Sequence, residues 1–265
     1  MSCELHVVDA FTGHPFRGNP AGVCIMDGPA DPGWMQQVAA ELKHSETAFL
    51  FPAPSAGHWN LRWFTPVKEV EICGHATLAS AHVLWSAGRA APGSPLSFET
   101  LSGTLTAKQD GDWIELDFPA DPACAIPPVP GLEQALGAAP VFTGKSRFDL
   151  LAELPTASDV CDCEPDLALL ATLPARGLIV TAPADLPDVD FVSRFFAPSV
   201  GIPEDPVTGS AHCCLGPYWG EKLGKASMTG FQCSERGGTV RVTLSGDRVL
   251  LAGHAAEVFS GTLRA

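Results

Sequence analysis

The stretch Glu204-Asp205-Pro206-Val207-Thr208-Gly209-Ser210-Ala211-His212 belongs to the second copy of a repeat. It follows Arg194-Phe195-Phe196-Ala197-Pro198, and the same order occurs upstream as Arg62-Trp63-Phe64-Thr65-Pro66 and then Glu71-Ile72-Cys73-Gly74-His75-Ala76-Thr77. The Arg and Pro positions are 132 residues apart (62 to 194, 66 to 198), and the Gly and Ala positions 135 apart (74 to 209, 76 to 211), so the later copy carries three extra residues. Each copy runs from an aromatic strand through an acidic turn to a Gly and an apolar helix. Such self-similarity is stronger evidence of architecture than any single strand. It predicts two similar units facing each other across a cleft, each aiming a helix N-terminus at it. Exposed N–H groups and the helix dipole suit such a cleft to an anionic small molecule.

Around this repeat the chain reads as α+β. Its 265 residues are 46% hydrophobic and 17% charged, which supports a sizeable core. With 26 Gly and 24 Pro, many short strands are expected. Asp31-Pro32 starts a helix that runs to Leu42, and Trp59, Leu61 and Trp63 alternate with Asn60 and Arg62 as a half-buried strand. The segments His75–Ala87 and Ser210–Leu223 are apolar or small nearly all round, so each helix must be surrounded by other structure. The expected architecture is two pseudo-symmetric halves, each a curved, mostly antiparallel, barrel-like sheet wrapped around a central helix. The halves are placed at 1–118 and 132–265, joined by a Pro-rich linker at 119–131, with the last strand able to cross back to the first half.

Composition removes several function classes. The net charge is −14 and no basic cluster occurs, so no nucleic-acid partner is expected. Any anionic substrate needs local positive potential to overcome that field. No apolar run is suited to crossing a membrane. The N-terminus carries Glu4 and Asp9 and lacks a cationic stretch followed by an apolar one, so a cytoplasmic protein is expected. The nine cysteines, odd in number and scattered, then read as reduced thiols. Cys161-x-Cys163 and Cys213-Cys214 have no second pair at zinc-site spacing, so no metal is expected.

Candidate site residues cluster in and near the repeat. Gly74 and Gly209 let backbone N–H groups approach a ligand, and two such helix mouths could hold a carboxylate without any Lys or Arg. His75, in the first turn of the buried helix, is expected to be neutral, able to donate one hydrogen bond and accept another. Glu46 lies where a helix gives way to a strand; with an apolar flank it is poised to move a proton. Asp205 sits in the turn before the second helix mouth, Glu204 beside it reads as solvated, and Ser210 reads as an N-cap or a substrate contact. Cys73, just before a helix N-terminus, is the competing base. A two-thiol racemase needs a second thiol at the echo position, which holds Thr208; Cys213 and Cys214 should point into the core.

Taken together, Val8-Asp9-Ala10-Phe11-Thr12, Gly18-Asn19-Pro20-Ala21, Ser45-Glu46-Thr47-Ala48, Cys73-Gly74-His75-Ala76-Thr77 and the two stretches Arg194–Pro198 and Glu204–His212 resemble the PhzF family of phenazine biosynthesis-like proteins, in the diaminopimelate epimerase superfamily. The resemblance implies the two-halved epimerase-like fold, a cofactor-independent isomerase and a homodimer. In the best-understood member the substrate is a dihydro-hydroxyanthranilate. By similarity, Glu46 removes a proton from one carbon and returns it to another, His75, Asp205 and Ser210 hold the substrate and assist, and Asn19, Gly74 and Gly209 bind it. The chain departs from the pattern where a Gln-Gly pair is common: here Gln232 precedes Cys233. The alternatives are an amino-acid racemase or epimerase using Cys73, and a non-catalytic small-molecule-binding protein on the same scaffold.

Overall fold

The computed structural model describes residues 2–55 and 57–264, and the chain folds as two units, Met1–Asp117 with Ala252–Ala265, and Phe118–Leu251. The first holds β1 (Ser2–Ala10), β2 (Asn19–Ile25), α1 (Pro32–Leu42), β3 (Glu46–Pro52), β4 (His58–Phe64), β5 (Glu69–Val70), α2 (Gly74–Ser86), β6 (Leu96–Thr100), β7 (Gly103–Asp110) and most of β8 (Trp113–Pro119). The second holds β9 (Cys124–Ala125), α3 (Leu132–Leu136), β10 (Phe142–Lys145), β11 (Leu150–Glu153), α4 (Ala157–Cys161), α5 (Leu167–Leu170), β12 (Leu178–Pro183), β13 (Phe191–Phe196), α6 (Gly209–Leu223), β14 (Ser227–Gln232), β15 (Gly238–Ser245) and most of β16 (Arg248–Gly253). The last strand, β17 (Ala255–Arg264), belongs to the first unit and runs antiparallel along β1. Residues 119–131, rich in Pro, include β9, which pairs with β10.

The sequence repeat is also a repeat of strand pairing. In the first unit β1–β2 is antiparallel, β2–β3 parallel, β3–β4 antiparallel, β4–β6 parallel and β6–β7 antiparallel. In the second, β10–β11, β11–β12, β12–β13, β13–β14 and β14–β15 follow the same alternation. The fold is therefore α+β, with two pseudo-symmetric halves.

Local chemistry explains the elements. Asp31 caps α1 by accepting the Trp34 N–H at 3.0 Å, and Lys43 ends it in the left-handed conformation at φ 57°. Met35, Val38 and Ala39, spaced three and four apart, are the face α1 buries. Helix α2 is buried at every position from His75 to Ala81, as its lack of a polar face requires. Helix α6 is buried from Ala211 to Gly216 and again at Trp219 and Gly220. Pro217 lies inside α6 and has no N–H for the carbonyl of Cys213, which instead accepts the N–H of Asp121 at 3.1 Å. Gly216 and Gly220 form the face that lets β15 close in: a Cβ on either would come within 2.8 Å of Val242 or 2.5 Å of Leu244.

The expectation of reduced thiols throughout fails at one pair. Cys161, at the end of α4, and Cys233, just after β14, form a disulfide across 72 residues of sequence, while the other seven cysteines are free. Helix α4 packs on β13, and β13 pairs in parallel with β14, so topology brings together two cysteines that no spacing rule would join.

Candidate active site

In the first unit the strands deliver Glu46 and His75 to one point. Glu46 opens β3 opposite Ala21 of β2. Asn19, at the start of β2 and fully buried, accepts a 3.5 Å hydrogen bond from Ser45, the neighbour of Glu46. Arg62 on β4 grips Glu69 on β5 through two 2.7 Å bonds and so fixes the acidic turn that leads into α2. Cys73 is the N-cap of α2 in extended backbone (φ −152°, ψ 116°), and its side chain bonds none of the helix N–H groups. His75 follows Gly74 into the first turn and is 4% exposed. Its Nε2 lies 3.5 Å from Glu46 Oε2, and its Nδ1 lies 3.5 Å from Cys73 Sγ. Nε2 is buried without a hydrogen-bond partner among the described residues. Burial, with the charge of His44 added, pushes the His75 pKa down to about 3, so the imidazole is neutral at physiological pH. The Glu46 side chain keeps 14% of its exposure: shielded, yet open to a ligand.

The second unit repeats this frame with different chemistry. Arg194 grips Glu204 at 2.7 and 2.9 Å, as Arg62 grips Glu69. The offsets of 132 and 135 are those of the sequence repeat. Glu204 is thus paired rather than solvated, because the repeat supplies its arginine. Thr208, not Ser210, is the N-cap of α6, again extended (φ −114°, ψ 106°) and again without a side-chain bond to the helix. Its hydroxyl instead donates to Asp205 Oδ2 at 2.5 Å, and Asp205 is 8% exposed. Gln232, wholly buried, accepts the Thr208 N–H at 2.9 Å and donates to the Asp205 carbonyl at 2.6 Å, pinning the turn from both ends. Ser210 accepts a hydrogen bond from Arg176 Nη2 at 3.0 Å. Arg176 pairs bidentately with Asp149 (2.9 and 2.5 Å), a residue that is 1% exposed. Burial works to lower the Arg176 pKa, but the bonds and charge of Asp149, with Asp121 and Asp205 behind, outweigh it and hold the guanidinium above its ordinary value.

Glu46, His75 and Gly74 therefore share one corner of the first unit with the buried Asn19, and Asp205, Gly209 and Ser210 share one corner of the second. Arg176 and Asp149 are the residues that sequence reasoning passes over, Gln232 having entered it only as part of the family pattern, and Arg176 corrects the expectation of a helix mouth without Lys or Arg. One signal was present: Arg176 stands 132 residues after His44, the offset of the repeat, just as Ser210 stands 135 after His75.

The equivalences also expose an asymmetry. β3 begins at Glu46 and β12 at Leu178, 132 residues later, and Cys73 corresponds to Thr208. The second unit has neither a carboxyl nor a thiol where the first has both. Cys213 and Cys214 are held in the core, where burial pushes both thiols up to about 12. Among the described residues, Glu46, Cys73 and His75 are also the set able to offer three metal-ligand atoms, all within 4.8 Å of one another. The positive end of α2 works against a cation there.

Comparison with known proteins gives the chain its family. The family pattern of phenazine biosynthesis-like proteins matches residues 8–261. An uncharacterized isomerase of Halalkalibacterium halodurans is 47% identical over 264 residues, 99% of each chain. A PhzF-family phenazine biosynthesis protein of Enterococcus faecalis superposes with a TM-score of 0.95 at 39% identity, covering 100% of both chains. A probable proline racemase of Agrobacterium radiobacter, with bound carbonate, shares the fold at a TM-score of 0.64 and 12% identity, over 99% of this chain and 92% of that one. No helix among the described residues is long and apolar enough to cross a membrane. Matched over nearly its whole length, this chain belongs to the PhzC-PhzF family of phenazine biosynthesis-like proteins.

Proposed function

We propose that the protein is an isomerase that moves a proton within a small carboxylate substrate, with Glu46 as the group that removes and returns it. The observation that carries this reading is the approach of His75 Nε2 to Glu46 Oε2 at 3.5 Å, with the imidazole held neutral. A neutral ring brings no positive charge of its own to Glu46, and a carboxylate can take a proton and hand it back. The ring itself donates or accepts a hydrogen bond at the substrate, according to which nitrogen bears the proton. Asp205 and Ser210 take substrate-holding roles, with Gly74, Gly209 and Asn19 completing or supporting the binding groups. Leu178 and Thr208 at the equivalent positions favour one base acting at two carbons over two opposed bases. General acid–base transfer supplies about 10²–10⁴-fold, and orientation of the substrate the remainder. Cofactor independence and a homodimer enter the proposal from the family resemblance, and cytoplasmic residence from the sequence reading.

The test is deuterium exchange. Candidate carboxylates incubated with the enzyme in D₂O should acquire label, and Glu46→Gln should slow labelling by roughly 10²-fold or more. Labelling by Glu46→Gln at the wild-type rate would remove Glu46 from this role. A second reading, a thiol-base epimerase, is favoured by the 3.5 Å approach of Cys73 Sγ to His75 Nδ1. It requires Cys73→Ser to abolish exchange at a chiral α-carbon; unchanged exchange in that variant excludes it.

A further inference from the structure

Ser210 and Arg176 present hydrogen-bond donors that no group among the described residues uses. Arg176 Nη2 donates to Ser210 Oγ at 3.0 Å. A guanidinium has no acceptor to offer in return, so this contact occupies a lone pair of the serine and leaves its O–H proton directed elsewhere. That proton meets no acceptor among the described residues, and neither does Arg176 Nη1. The guanidinium is locked in place. Asp149 holds Nε and Nη2, and the rings of Phe148 and Phe195 lie 5.3 and 5.6 Å from its centre. Yet 36% of the side chain remains exposed. The feature belongs to the repeat: in the first unit His44 stands at the position of Arg176, and its charge acts on His75, the counterpart of Ser210.

We infer that Arg176 is a specificity-determining residue: it fixes Ser210 as a donor and, with it, selects an anionic carboxylate oxygen on the substrate. This rests on the proposed function for the substrate's carboxylate, but not on Glu46 as the base. Arg176 also answers a problem set by composition, since a chain with net charge −14 needs a local cation to admit an anion. A lysine would not replace it, because one ammonium cannot span Asp149 bidentately and still fork toward Ser210 and a ligand.

Benzoate and its neutral isostere benzamide, titrated into the ¹⁵N-labelled full chain, test the assignment. Benzoate should shift the Gly209 and Ser210 amides and bind more tightly than benzamide. Arg176→Lys and Ser210→Ala should each weaken benzoate by roughly 10- to 100-fold, the worth of a hydrogen bond to a charged group. Their effects should be less than additive in the double variant. Because Arg176→Ala strands the buried Asp149, the paired variant Asp149→Asn/Arg176→Gln serves as the control that removes both charges together. With a wild-type unfolding transition, that variant should lose the preference for benzoate over benzamide. The inference is overturned if the variant keeps that preference, if wild type binds the two probes equally, or if benzoate leaves the 209–210 amides unmoved. Glu46→Gln should bind benzoate as wild type does. Wild-type exchange chemistry in Glu46→Gln with benzoate selection intact would sink the proposed base and spare this subsite.

Discussion

At the residue scale the chemistry depends on which groups are denied water and which are denied partners. His75 and His212 are both buried, with pKa values pushed down to about 3 and about 4. The sign of the consequence follows from proton counting. Below pH 6.5 the unfolded chain takes up protons at these histidines and the folded chain does not, so stability is full above pH 6.5 and falls as the pH drops toward 3 or 4. Each histidine should remove about 1.4 kcal/mol per pH unit within its window. Urea midpoints measured from pH 7 to pH 4 should show this slope, and His75→Asn and His212→Asn should each reduce it. A slope unchanged in both variants would mean that other groups govern acid unfolding. Alkylation is a poor probe of Cys73 by itself, because Cys124 is exposed and Cys73 is buried. The exposed thiol should react first, so the serine variant is the informative experiment.

At the element scale the two central helices set the positions of everything at their mouths. Helix α6 sits close to β15 because Gly216 and Gly220 carry no side chain. Gly220→Ala would place a methyl 2.5 Å from Leu244 Cδ1 and 3.1 Å from the Lys225 carbonyl oxygen. Leu244 can yield but the backbone oxygen cannot move freely, so this variant should lose about 1–3 kcal/mol by overpacking, read from denaturant unfolding. The Arg–Glu pairs matter at the same scale. Arg194 holds Glu204 and also donates to the carbonyls of Cys161 and Cys163, so it joins the acidic turn to the end of α4. Arg194→Lys keeps the charge and loses the fork. It should increase hydrogen exchange at the Thr208 amide, which donates to Gln232 at the far end of the turn. Unaltered exchange there would show that Gln232 alone holds the turn.

At the scale of the whole molecule the nine cysteines offer the simplest measurement. Non-reducing denaturation should expose seven titratable thiols and reduction nine, because Cys161 and Cys233 are joined. Closing a 72-residue loop restricts the unfolded chain, so reduction should cost up to roughly 4 kcal/mol of stability on the chain-entropy account. Equal thiol counts before and after reduction would remove the bridge. The link lies beside Gln232. Cys233→Ser deletes the bridge while keeping a side chain of nearly the same size beside the neighbouring strand.

The linear chain by itself determined the duplication, the two apolar helices and the identity of most groups at their mouths. These are properties of local pattern: a periodicity, a Gly before an apolar run, an acidic turn after an aromatic strand. Glu46, His75, Asp205 and Ser210 stand out as candidates because the repeat and the family stretches mark them. Tertiary structure alone decided the partners. Arg176 reaches Ser210 across 34 residues, Gln232 reaches Thr208 across 24, and Cys161 meets Cys233 across 72. The order and register in which strands pair fix those meetings, through hydrogen bonds between segments far apart in the chain, and neither spacing nor composition encodes that order in readable form.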